Sequence, residues 1–533
     1  MKKIIIPLLM TIMLSSCSTI VSPSDDGSTS TPSTSTSSSS STSEEHGDGI
    51  IDFYSINDYH GRIEENLGKN EAGISRFASY LHSKENENKN GTVFVNAGDL
   101  WQDTYSSSKN KGELLTKAMA ELRCEAMALG NHEFDWGIEN IKHNKQVAET
   151  QVANHTFSLL GANIYNYENG SVTTQASDIA SPYKIIYRKG YKIGLIGAIG
   201  KNQITSITST NWENLTFLDH VDVVKNVSDE LRTKENCDVV VLLFHGAFSN
   251  VDATSLSSVS PVSGKHYVDA GFLGHSHAYE NQTVNNVPWI QSYHHGVALG
   301  HIRLQIDENK NISCTMQNET EGANIIPTYD EDVNIKNLVS TYLTNDFVAQ
   351  KESVVANLVN FSKTSIGKEM GYMSAYSTSW LIDELRKTNS KIPQIDIVIN
   401  NGNRDTIKLN GNTLTTENVF NLIPFTNKTI IARVKGQDII NECVNYSNPY
   451  YLPGESALAI DSNSYYNIAC IDYLLYHKNT SRNYNYFPSF DGNPIYVVED
   501  YPCDIMIDYL NNHGNSFNMS ILNTTPFTGL SAA

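Results

Sequence analysis

Along the chain, apolar and polar positions fall into distinct regimes. Ile4–Leu14 is an apolar run preceded by Met1, Lys2 and Lys3, too short for the ~20 residues that span a bilayer. From Ser28 to Ser43 every residue but Pro32 is Ser or Thr. Such a stretch has nothing to bury and reads as a flexible tether. From Asp48 onward, short apolar runs are separated by longer mixed stretches. Ile50–Ile56, Thr92–Ala97, Tyr191–Ile199, Cys237–Phe244 and Tyr267–Leu273 predict buried strands, and Glu113–Leu122 and Val221–Leu231 predict helices between them. Strands alternating with helices predict a layered α/β architecture. Near Glu321–Pro327 the strand pattern ends, and Glu331–Lys351 predicts one long connecting helix. The expected organisation is therefore a leader over residues 1–17, a tether over 18–47, a first folded unit over 48–328, a connector over 329–352 and a second unit over 353–533.

Composition narrows this picture. The 533 residues carry 38 basic and 58 acidic side chains, a net charge of −20. That excludes nucleic acid as an expected partner, because phosphate backbones need clustered Lys and Arg. It leaves room for a single phosphate on a small substrate held by metal. Seven cysteines are too few for a disulfide scaffold. Leu14-Ser15-Ser16-Cys17 resembles a bacterial lipobox, which implies export and a lipid on Cys17 as the sole membrane attachment. The tether, about 25 residues, then has a reach of roughly 25–30 Å.

The candidate chemistry lies at the ends of the predicted strands, where α/β sheets place their sites. Five segments carry hard or borderline metal ligands: Asp58-Tyr59-His60-Gly61, Gly98-Asp99, Gly130-Asn131-His132-Glu133, His245-Gly246 and Gly274-His275-Ser276-His277. Gly-Asn-His-Glu and Gly-His-Ser-His are more particular than the others, and the set of five in this order at strand ends is the signal. Two divalent cations can clamp a phosphoryl group and activate water near neutral pH. A carboxylate between them and imidazoles around them suit Zn, Mn, Co or Fe.

These segments resemble the calcineurin-like metallophosphoesterases, and in particular the bacterial 5′-nucleotidases that join this domain to a substrate-binding domain. The resemblance implies a four-layer α-β-β-α catalytic domain followed by a smaller α/β domain. It implies two divalent metal ions: Asp58, His60 and His277 on one, Asn131, His245 and His275 on the other, and Asp99 bridging. His132 and Asp135 match the family's catalytic pair. A metal-bound hydroxide attacking a nucleotide phosphate is the reaction it implies.

The second unit is matched less fully. Ile397-Val398-Ile399-Asn400-Asn401-Gly402-Asn403-Arg404 resembles the family's phosphate loop, one residue short, and nominates Arg404 for phosphate and Asn400 for substrate. Asn421-Leu422-Ile423-Pro424-Phe425-Thr426-Asn427 nominates Phe425 as one wall of a base slot and Asn427 as a polar contact. Tyr466–Leu474 nominates Tyr473 as the other wall. The family's Gly-Gly-Asp-Gly after that tyrosine is absent, as is its Asn-Leu-Gly-Asn-Leu helix start. A second arginine has only Lys368 as a nearby cation. The motifs point to the reaction class, and these departures leave the leaving group open. A 2′,3′-cyclic-nucleotide phosphodiesterase and a UDP-sugar hydrolase use the same chemistry, and a non-catalytic surface binding protein is the rival of another class.

Overall fold

The computed structural model describes residues 48–207, 211–212, 214–401, 406–454, 456–476, 478–479 and 484–533. The leader with its lipobox, the tether and Arg404 lie outside the described residues. Two six-stranded sheets build the first half. One runs in the order Ile312–Glu321, Leu299–Ile306, Ile50–Ile56, Thr92–Asn96, Ala126–Ala128, Ser158–Leu160. The other runs Tyr279–Val284, Val287–Ser292, Ala270–Leu273, Val239–His245, Tyr191–Ile199, Tyr183–Arg188. Each contains a block of four parallel strands with antiparallel strands beside it.

The strand Val239–His245 shows why the layers form. Successive side chains point to opposite faces. Val239, Val241 and Leu243 pack between the sheets, against Phe53, Val93 and Val95 of the first. Val240, Leu242 and Phe244 pack outward, against Val224 and Leu231 of the helix His220–Thr233. The first sheet does the same with Tyr54, Ile56, Phe94 and Met127, covered by the helices Gly73–Glu87, Glu113–Glu121 and Ile138–Thr150. The result is the α-β-β-α stack that the resemblance implies. A strand apolar on both faces reads as an unbroken hydrophobic run, which is why these strands were visible in the sequence.

The second half holds a five-stranded sheet in the order Tyr450–Tyr451, Ile397–Ile399, Tyr465–Ile471, Thr429–Lys435, Tyr496–Val498. A three-stranded sheet, Thr413–Thr415, Val354–Val359 and Ser516–Asn518, lies in the same half with the helices Glu369–Thr388 and Pro502–Asn512. The connector departs from expectation. Residues 331–351 form two helices, Val333–Tyr342 and Asn345–Lys351, not one. Leu343 leaves helical geometry with φ −86 and ψ 62, and the Thr344 hydroxyl accepts from Phe347 N. A threonine gains more as an N-cap than inside a helix, so the chain restarts there.

Among the described residues no helix is long and apolar enough to cross a membrane. Cys124, Cys237, Cys314, Cys443, Cys470 and Cys503 form no disulfides, and all but Cys314 are buried.

Candidate metal centre and adjoining cavity

Parallel strands deliver their C-terminal ends to one edge of a sheet, and here the edges of both sheets meet. Asp58 and His60 follow Ile50–Ile56, Asp99 follows Thr92–Asn96, and Asn131 and His132 follow Ala126–Ala128. From the other sheet, His245 ends Val239–His245, and His275 and His277 follow Ala270–Leu273. The chain turns hard to aim them: φ is positive at Asp58 (47°), His60 (50°), Asp99 (55°), His275 (72°) and His277 (53°). Non-glycine residues held there cost about 1–3 kcal/mol each, a strain that concentrates at functional sites. Gly98, at φ 99°, is required both by its conformation and by space, since a Cβ there would lie 2.6 Å from His245 Nδ1. A Cβ on Gly130 would lie 2.2 Å from Asp99 Oδ1.

Two clusters result. Asp58, His60 and His277 offer ligand atoms all within 4.8 Å of one another, and so do Asp99, His245 and His275. His60 Nε2 lies 2.9 Å from His277 Nε2 and 3.9 Å from both Asp58 Oδ1 and Asp99 Oδ2. His245 Nε2 lies 3.2 Å from Asp99 Oδ2 and 3.1 Å from Asn131 Oδ1, and His275 Nδ1 lies 2.9 Å from the same Asn131 oxygen. Asp99 therefore stands within reach of both clusters.

The hydrogen bonds behind these atoms decide what the clusters can hold. His60 Nδ1 lies 3.0 Å from the Gln102 carbonyl and His245 Nδ1 2.9 Å from the Ala97 carbonyl. A carbonyl only accepts, so each Nδ1 carries the proton and each Nε2 turns a lone pair inward. Those lone pairs face carboxylate and amide oxygens, which are acceptors too. Acceptors crowded together need a cation or a proton between them. Burial alone would push the His245 imidazole down, but the Asp99 carboxylate beside it lifts it to about 9. Asp99 itself is held well below the usual carboxylate range, against the cost of burial, by His245, His132 and His60. Imidazole, carboxylate and amide oxygen are the donor set of borderline divalent ions, so the residues present fit two such ions.

Around the clusters, Glu133 is fully buried and its carboxylate accepts from the N–H groups of Asp99 (2.9 Å), Leu100 (2.9 Å) and Gly130 (2.7 Å). Burial and the nearby Asp99 charge raise its pKa. Asp58 accepts from His275 N–H at 2.9 Å and from the Asn57 amide at 2.6 Å. At the rim, His132 Nδ1 lies 2.8 Å from Asp135 Oδ2, and His132 N–H donates to Asp99 Oδ1 at 2.9 Å.

Residues 51–279 match the calcineurin-like phosphoesterase family. The chain carries a calcineurin-like phosphoesterase domain. It is also homologous to 5′-nucleotidases: it is 26% identical over 424 residues to the 5′-nucleotidase of Bos taurus, covering 72% of this chain and 69% of that one. The fold is shared with a 5′-nucleotidase precursor from Thermus thermophilus (TM-score 0.64, 17% identity, 91% of this chain and 99% of that one). It is shared too with a 5′-nucleotidase from Candida albicans (TM-score 0.54, 12% identity, 87% and 98%). The protein is a metal-dependent phosphoester hydrolase.

The phosphoesterase domain opens onto a cavity of about 240 Å³ shared with the second half. Asn131, His132, Asp135 and His275 line it from one side, and Asn401, Phe425, Thr426, Asn427 and Tyr473 from the other. The Phe425 ring lies 6.3 Å from that of His132, inclined by 23°. The Thr426 hydroxyl donates to Asp135 O at 3.1 Å. Of the nominated substrate residues, Phe425, Asn427 and Tyr473 are thus brought to the cavity. Asn427 is buried and its amide donates to Asp472 Oδ1 at 2.7 Å. Asn400 is also buried, its side-chain oxygen accepting from Asn401 N–H at 2.7 Å, and it is Asn401 that lines the cavity.

Several residues of the phosphoesterase domain's centre escaped the sequence reading. The carbonyls of Gln102 and Ala97 have no side-chain signature. Glu133 stands inside a quoted motif without an assigned task. The doublet His294-His295, just past the strand Val287–Ser292, was a visible signal not taken up.

Proposed function

We propose that this chain is an exported, lipid-anchored 5′-nucleotidase that uses two divalent ions to release phosphate from nucleotides outside the cell. One observation carries the reading. Two clusters of imidazole and carboxylate groups, both within reach of Asp99, adjoin a His132–Asp135 pair in a cavity whose far side presents Phe425 and Tyr473. Asp58, His60 and His277 would hold one ion, Asn131, His245 and His275 the other, with Asp99 shared. Bound ions of this kind lower the pKa of water and neutralise phosphoryl charge.

The chain's own groups do the rest. Asp135 fixes the tautomer of His132 and supports its positive charge, so that the ring delivers a proton or hydrogen bond to the reacting phosphate ester. Phe425 and Tyr473 take the base, a contact of about 1–3 kcal/mol per base that tolerates base identity. Arg404 supplies a bidentate guanidinium for phosphate oxygens. Organisation follows the sequence reading: catalytic domain over 48–328, connector over 329–352, substrate domain over 353–533.

The test is phosphate release from AMP, ADP, ATP, UDP-glucose and 2′,3′-cAMP with Mn, Zn, Co and Mg in turn. AMP is expected to be turned over, activity to vanish on chelation and to return with metal. Turnover of UDP-glucose or 2′,3′-cAMP without AMP would replace the substrate assignment. Two bound metals without any turnover would make it a binding protein. Separately, Cys17→Ser is expected to shift the protein from the membrane fraction to the medium, and unchanged membrane recovery would refute the lipid anchor.

A further inference from the structure

We infer that His294 is a positioning residue for His277, holding that ligand's ring by stacking where His60 and His245 are held by hydrogen bonds to backbone carbonyls. The inference rests on the metal-binding reading above. Metal-ligating histidines are normally oriented by a partner on their second ring nitrogen. His60 has the Gln102 carbonyl and His245 the Ala97 carbonyl. His277 has no such carbonyl among the described residues. Its side chain is 32% exposed, whereas those of Asp58 and His60 are fully buried. What lies flat against the ring is His294, its centroid 4.9 Å away and its plane inclined by 11°.

The turn carrying His294 is built to stay put. Tyr293 and His295 sit at φ 53° and 58°, and Gly296 at 67°. A Cβ on Gly296 would lie 2.4 Å from the Tyr59 ring. Asn57 grips the turn from the ligand loop, accepting from Ser292 N–H at 2.9 Å and donating to Tyr293 O at 2.6 Å. His295 N–H donates to Asp58 O at 2.8 Å, and Tyr293 N–H to Ala278 O at 3.2 Å. The His295 side chain completes the anchor, Nδ1 lying 2.8 Å from Glu71 Oε1 and Nε2 3.1 Å from the Arg62 guanidinium. The turn is thus tied to the segments on both sides of the first cluster, Asp58 and Ala278, and the ring between them is His294. Stacking needs a flat ring and no particular nitrogen. The role therefore separates from a polar one by substitution.

The test is metal titration of the purified full chain with Mn or Zn, scored as equivalents bound and affinity per equivalent, for the parent, His294→Ala, His294→Phe and His294→Gln. The expected result is two equivalents in the parent and one of them weakened about 10–100-fold in the Ala variant, the scale of lost orienting partners. The other equivalent should be unchanged, Phe should restore the affinity and Gln should not. Equal affinities in parent and Ala variant would overturn the inference. So would rescue by Gln but not Phe, which would make the role polar, and so would a third equivalent lost with His294, which would make it a ligand. A parent that binds no metal would instead sink the two-metal reading itself. Thermal denaturation of the metal-free Ala variant, expected within a few degrees of the parent, separates a loosened ligand from a damaged fold.

Discussion

Asp99→Asn is expected to reduce phosphate release by about 10²–10³-fold, the scale on which a preorganised electrostatic group acts, and to lower metal content below two equivalents. Asn keeps the size and shape of the side chain, and one oxygen still accepts from His132 N–H, as Asp99 Oδ1 now does at 2.9 Å. What changes is charge. Asp99 is 1% exposed, and its Oδ2 stands 3.2 Å from His245 Nε2 and 3.9 Å from His60 Nε2. It stands within reach of both clusters. Removing it takes a full negative charge from two cation sites at once, in a buried setting where charges interact strongly. Without metal, Asp99 is also what keeps a proton on His245 despite burial. The variant should therefore bind fewer protons as well as fewer ions, and proton release on metal addition should shrink with it. Far-ultraviolet circular dichroism checks that the fold is retained, elemental analysis counts the metal, and phosphate release gives the rate. Two tightly held equivalents with full activity in this variant would refute the central role of Asp99.

What could be read in advance and what could not follow one physical rule. Asp58, Asp99, Asn131, His245, His275 and His277 each stand at or just beyond an apolar run, usually beside a glycine. Buried parallel strands are mostly apolar, with exceptions such as Asp52 and Ser55 in Ile50–Ile56, and a polar candidate ligand just past the end of such a run stands out from it. The first half of the fold was legible for the same reason, and strand limits such as Ile50–Ile56 and Tyr191–Ile199 agree with the structure. The second half offers strands of two or three residues, such as Tyr450–Tyr451 and Ile397–Ile399, too short to show a period. The break at Thr344 was missed because apolar residues continue across it, while a cap is a matter of one hydroxyl and one N–H. The orienting carbonyls of Gln102 and Ala97 leave no trace in residue type, because any residue supplies a carbonyl. Asn400 was nominated by position in a motif, yet its neighbour Asn401 reaches the cavity. A one-residue shift in a loop outside regular structure cannot be seen without coordinates.

His132→Gln is expected to lower kcat on AMP by about 10²–10⁴-fold, the usual contribution of a positioned acid or base, while leaving two metal equivalents bound. His132 gives neither cluster a ligand: its Nδ1 is committed to Asp135 at 2.8 Å, and its backbone N–H, which Gln retains, supports Asp99. The glutamine side chain keeps bulk next to Phe425, whose ring lies 6.3 Å from that of His132, so binding should change less than turnover. The leaving group then discriminates the task. A nucleoside alkoxide needs a proton as it departs, whereas p-nitrophenolate does not. If His132 acts as the acid, the loss with p-nitrophenyl phosphate should be much smaller than the loss with AMP. If it acts by stabilising charge on the phosphoryl oxygens, the two losses should match. Asp135→Asn should follow the same pattern with a smaller loss, because the imidazole remains but loses the carboxylate that orients and charges it. Metal lost in proportion to activity would instead place His132 in the support of the metal centre and remove it from the chemical step.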